Sequence, residues 1–249
     1  MTRARRNRPG LGIERIVVEG YKSLRTRQEI EIRPLTVLAG VNSSGKSSAM
    51  QPLLLLKQTL ETPYDPGPLQ LSGPNVDVTE IEQVLARGPK RASTAQEFKF
   101  GVTIRDHSTE WTFGKDPSGD LRVRSMETAV IDRPKTGRKF RTVSLREGMT
   151  SSRLQDLFPE LNQILKARPK KINLSFTVVR RRCFLLPGIR VDDMPVPIPI
   201  HTELASDQTQ RELARAIHLP ALRGNPRRTY RTVAVEMNSP ARSTPTLPE

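Results

Sequence analysis

Residues 40 to 48 read GVNSSGKSS, and four of them carry a specific chemistry. Gly40, Gly45, Lys46 and Ser47 stand at the spacing G-x-x-x-x-G-K-[ST], which cradles a phosphate chain. The two glycines reach backbone angles closed to other residues, so successive amides can turn inward around an anion. A helix starting at about Gly45 presents its positive end to the phosphates. Lys46 supplies a point charge to the β and γ phosphates, and Ser47 a hydroxyl ligand for Mg²⁺. Ser48 is placed for a contact near the α phosphate. Asn42, Ser43 and Ser44 complete the loop.

Such a loop needs a strand before it and a helix after it. LTVLAG, at 35 to 40, is a short apolar run ending in glycine, as expected of a buried strand feeding a loop. SSAMQPLLLLKQTLE predicts the helix, with Pro52 early enough that its missing amide does little harm. PYDPGP at 63 to 68 stops it.

Upstream, IERIVVEGY has strand character, and EIEI alternates with period two. Downstream, TEIEQVLARG predicts a short helix capped by Thr79, with Glu82 three residues on and Gly88 after its end. From about 98 to 145, FKFGVTIRD, EWTFG, DLRVRSMETAVI and RKFRTVSL alternate with turn signals and predict an antiparallel meander, a β subdomain beside the nucleotide core. SSRLQDLFPELNQILKA predicts a helix pair broken near Pro159. INLSFTVV predicts a strand, LPGIRVDDMPVPIPIH an irregular proline-rich stretch, and SDQTQRELARAIH a helix from Ser206.

The stretch from Ile13 to Ser48 resembles the N-terminus of ABC-type ATPase heads, such as SMC proteins, RecF and the OLD-family ATPases. The resemblance rests on the aromatic-Lys-Ser element Tyr21, Lys22 and Ser23, and on Asn42 in the third place of the loop. HLPALRGNPRRTY, from His218, resembles a segment of bacterial OLD-like AAA ATPases. The resemblance implies an α/β P-loop NTPase fold and ATP with Mg²⁺ as ligands. It also implies a homodimer through the nucleotide face.

Such heads also carry a Walker B strand ending in Asp-Glu, a signature motif and a bridging glutamine. Asp132 has no acidic neighbour, and Asp192 and Asp193 follow a run broken by Arg190. LSGPN at 71 to 75 comes too early for a signature. Gln70 and Gln83 read as solvated glutamines. Catalytic residues therefore stay unassigned. In the family the missing parts lie C-terminal to everything seen here, so the expectation is an incomplete head, truncated before them, with hydrolysis in doubt and an exposed sheet edge. Residues 13–237 would form the N-terminal part of the head, between tails at 1–12 and 238–249 whose composition reads as disordered.

Composition bounds the rest. Apolar residues make up 35% and aromatics 4% of 249 residues, with 21 prolines against a usual share of roughly 5%, so part of the chain should be loop or tail. The net charge of +15 suggests an anionic partner, DNA or RNA. It falls in four groups: Arg3 to Arg8, Lys135 to Arg141, Arg180 to Arg182, and Arg227 with Arg228. A basic nucleic-acid-binding protein with a relic loop is therefore the alternative reading. The single Cys183 excludes an internal disulfide and reads as a buried thiol. His107, His201 and His218 lack metal-site spacing, and Tyr21 fits either the base or the strand. No apolar run is long enough to span a bilayer, and the expected location is cytoplasmic, away from membranes.

Overall fold

A computed structural model describes residues 12–42, 44–88, 95–132, 139–167, 172–192, 194–200 and 206–219. The first strands are β1 (Arg15–Glu19) and β2 (Gln28–Glu31), followed by the long helix α1 (Lys46–Glu61). Four strands come next: β3 (Glu97–Ile104), β4 (His107–Lys115), β5 (Leu121–Asp132) and β6 (Lys139–Arg146). The short helices α2 (Ser151–Leu157) and α3 (Leu161–Ala167) precede β7 (Leu174–Arg181), β8 (Phe184–Val191), β9 (Ile198–Pro199) and α4 (Ser206–Arg215).

The meander is an extension of the N-terminal strands. β1 pairs antiparallel with both β2 and β3, giving one six-stranded sheet in the order β2-β1-β3-β4-β5-β6. Its register aligns the core residues in rows. Val18, Phe100, Trp111, Met126 and Leu145 form one row across five strands, all buried. Phe98 stacks on Phe113 with ring centroids 5.2 Å apart and meets the Tyr21 ring edge-on at 5.3 Å. The β7-β8-β9 sheet closes over this face, where Phe184 meets Trp111 at 5.7 Å.

Helix α1 is buried nearly all round from Pro52 to Leu60, as a helix inside a core should be. Pro52 lies within the second turn and not at the helix start. Its ring is buried, and the helix continues past the amide it lacks. The Arg182 guanidinium closes the far end of α1, donating to the carbonyls of Leu60 and, at 2.6 Å, Thr62. Asp65 holds that hairpin turn in place. It accepts from Arg180 Nη1 at 2.9 Å, the Arg182 amide at 3.1 Å and the Gly67 amide at 2.9 Å. The basic group at 180 to 182 is thus largely an internal brace.

Three expectations are corrected. The run at 35 to 39 forms no strand: Leu35 is 82% exposed, Val37 75% and Val41 79%. A strand needs a neighbour, and among the described residues none lies beside this run. Upstream of it the Arg33 amide donates to the Thr36 hydroxyl at 2.9 Å, turning the chain locally instead.

The stretch at 79 to 88 makes only a single 3₁₀ turn, Ile81–Gln83. The Leu85 amide makes one i−4 bond, to Ile81 O at 3.2 Å, but then Lys22 N donates to Val84 O at 2.8 Å and Ala86 N to Gly20 O at 2.7 Å. Those tertiary bonds replace the further i−4 bonds a helix would need. Thr79 pairs with Gln83, which donates to its hydroxyl at 2.8 Å, and not with Glu82.

The proline-rich stretch begins as the regular strand β8, with Pro187 paired opposite Val178. The strand tolerates Pro187 because its paired partners on the short β9 begin only at Gly188, and its carbonyl still accepts from the Ile200 amide at 2.8 Å.

Candidate nucleotide site

After β1 the chain makes a tight reverse turn. The Tyr21 and Leu24 amides each donate to the other's carbonyl, at 3.0 and 2.8 Å. Lys22 sits at the tip with φ 49°, and Ser23 beside it. Tyr21 is fully buried and 3.4 Å from Gln51 Oε1, and burial pushes its phenol far above the usual range. Tyr21 is therefore structural, and its role is to hold the turn.

This turn packs on the head of α1. Gly45 caps the helix in the left-handed region, φ 94°, with no side chain satisfying the first amides. A Cβ at Gly45 would stand 2.9 Å from Ser23 Oγ and 3.0 Å from Leu24 Cδ2. Gly40 is equally constrained, since a Cβ there would meet Ser44 Oγ at 2.8 Å. Both glycines of the motif are required by φ, and any side chain there would also have to displace a neighbouring side chain.

Lys46 donates to the carbonyls of Gly40 and Val41, each at 2.7 Å. An ammonium has three donors. Two of them fasten the loop into a ring, and the third remains for an anion. The Ser44 amide closes the same ring onto Val41 O at 3.3 Å.

The cleft so formed has a volume of about 750 Å³ and is lined by Lys22, Ser23, Asn42 and residues Ser44 to Ser48. That is ample for a nucleotide. The structure gathers Asn42, Ser44, Gly45, Lys46, Ser47 and Ser48 on this cleft. Gly40 lies behind it, holding Lys46, and Ser43 lies outside the described residues. Lys22 and Ser23 join the cleft, though the sequence assigned them only as a family signature. Their one local signal was a lysine-serine pair directly after a buried aromatic. Desolvation lowers the Lys22 pKa from its ordinary value, as burial of an ammonium should.

No carboxylate lines the cleft among the described residues. Asp132 ends β5 and Asp192 lies in the turn after β8, while Asp193 is outside the described residues. Gln70 is engaged at the opposite end of α1, where its Oε1 accepts from Thr62 and its amide donates to Thr59 at 2.8 Å. His218 Nδ1 is 3.0 Å from Asn75 Oδ1, and His201 is outside the described residues. No cluster of three metal-ligating side chains occurs among the described residues, nor any helix long and apolar enough to cross a membrane. Cys183 is completely buried, and desolvation pushes its thiol up to about 12.

A family model described as AAA ATPase domain matches residues 12–177. No curated protein matches the chain. Among solved structures, one from work on ATP-driven dimerization and DNA-stimulated activation of SMC ATPases aligns with 65% of this chain and 95% of its own. Its identity is 13% and its TM-score 0.30.

Proposed function

This chain belongs to the AAA ATPase domain family, and from that premise we propose that it binds ATP with Mg²⁺ in the cleft between the turn after β1 and the head of α1. One observation carries the reading: Lys46 is held on two loop carbonyls with its third donor uncommitted, beside a helix terminus whose amides no side chain caps. The amides of residues 45 to 47 would donate to the β-phosphate oxygens. Lys46 would bridge the β and γ phosphates, and Lys22 adds a second positive charge to the cleft lining. The Ser47 hydroxyl is exposed and suits an Mg²⁺ ligand. The metal, when bound, neutralises the phosphate oxygens. Asn42 and Ser48 would contact the flanking phosphates.

Retention of ATP, more than its turnover, is what these residues support, because none of the described cleft residues can polarise a water. Titration calorimetry with ATP and Mg²⁺ tests the reading on the full chain. Lys46→Ala should weaken binding by about 10–100-fold, as loss of a charge-assisted bond does. Equal binding by wild type and Lys46→Ala would sink it.

A second reading, contact with DNA or RNA, has its own observation. The described residues are nearly charge-balanced. Most of the surplus lies at 1–11, 89–94, 133–138, 168–171 and 220–249, outside them. Affinity for a DNA duplex that falls linearly in log–log terms with salt would support it. A flat salt response would remove it.

A further inference from the structure

The inner face of the six-stranded sheet is apolar row by row, with one departure. The row next to Val18 and Phe100 runs Ile30, Ile16, Val102, Thr109, Thr128, with Val143 at its end. Four of its members are aliphatic and the two on β4 and β5 are threonines, both buried. Helix α4 lies over this point. Thr209 Oγ1 is 3.2 Å from Thr109 Oγ1, and α4 also packs on α1, β3 and β4. Among the described residues the Thr128 hydroxyl, the cross-strand neighbour of that pair, has no hydrogen-bond partner, and neither has His107 Nδ1 two residues along β4.

The helix itself is weakly anchored. Of the described side chains of α4, only Thr209 and Leu213 are buried; after it Ile217 and Leu219 are exposed, while His218 Nδ1 lies 3.0 Å from Asn75 Oδ1. A helix sealed into a core buries an apolar stripe on an apolar floor. Here the buried stripe of α4 is only Thr209 and Leu213, and it meets a floor of hydroxyls, one of which, on Thr128, has no partner among the described residues. Wetting that floor restores its hydrogen bonds, so separation costs little.

We propose that α4 is a displaceable strap over the phosphate-loop helix, seated on the threonine floor of Thr109 and Thr128 so that it can leave and return without disturbing the rest of the core. Its departure strips α1 of its main helical neighbour.

Hydrogen–deuterium exchange on the full chain tests this. Peptides covering 206–215 should exchange about 100-fold faster than the interior of α1 at 53–60, through a local opening. The double variant Thr109→Val with Thr209→Val makes the floor costlier to wet and should slow α4 exchange about 10-fold. Thr128→Val alone should act in the same direction and guards against a double variant that misfolds. If the Thr109–Thr209 bond instead fastens α4 permanently, the valines speed exchange. Faster or unchanged exchange in the valine variants overturns the proposal, as does α4 exchanging in step with α1.

Discussion

Ser23 and Gly45 touch so closely that a side chain between them must push the turn aside: a Cβ on Gly45 would stand 2.9 Å from the Ser23 oxygen. The turn after β1 and the head of α1 are thereby one unit, although 22 residues separate them. Gly45→Ala meets both that wall and a φ of 94°. It should destabilise the chain by about 1–2 kcal/mol in urea denaturation. ATP binding should fall with it, since Ser23 must yield.

Lys22 allows strain and charge to be separated. Its φ of 49° favours glycine, while its side chain lines the cleft. Lys22→Gly and Lys22→Ala should each weaken ATP binding by about ten-fold, the worth of one charge near phosphate. Only Lys22→Gly should recover stability relative to Lys22→Ala, by about 1 kcal/mol, as thermal melts would register. Unequal ATP affinities in the two variants would argue against a charge role.

Asp65 gives the fold an acid limit. Burial alone would raise its pKa, but the Arg182 amide, the Arg180 guanidinium and the Gly67 amide outweigh this and hold it below the ordinary 3.8. A carboxylate depressed in the folded state stabilises it above the unfolded pKa and loses that contribution as pH falls through the folded value. Stability should therefore decline below pH 3.8, with Asp65→Asn flattening that slope while leaving ATP affinity at pH 7 unchanged.

Cys183 should be silent. Enclosed completely and with its thiol pushed up to about 12, it presents almost no thiolate at pH 8. A thiol reagent should label it only on addition of denaturant, making it a reporter of global unfolding. Rapid labelling of the folded chain would show that the β7–β8 hairpin opens independently.

Much of this was legible in local pattern. The alternation at 28 to 31 and through 97 to 146 fixed strands, Pro159 divided α2 from α3, and the glycine and lysine spacing located the loop. What escaped depended on distant partners. Leu35 to Ala39 has the composition of a buried strand, and only the absence of a neighbouring strand among the described residues leaves it irregular and bare. Residues 84 to 86 have helical periodicity but spend their backbone groups on Gly20 and Lys22. Pro187 argued against a strand, and the shortness of β9 removes the objection. Lys22 and Ser23 enter the cleft because a turn points them there, which no spacing encodes.

The bare run before the loop also governs how the purified chain behaves in a tube. Leu35, Val37 and Val41 form a sticky ribbon, and the net charge of +15 is what keeps copies apart. At low ionic strength that repulsion reaches well beyond contact distance. Near 0.1 M salt it fades within about 10 Å, and the ribbons can meet. Added salt, the usual remedy for a basic protein's losses, should here bring on self-association as concentration rises.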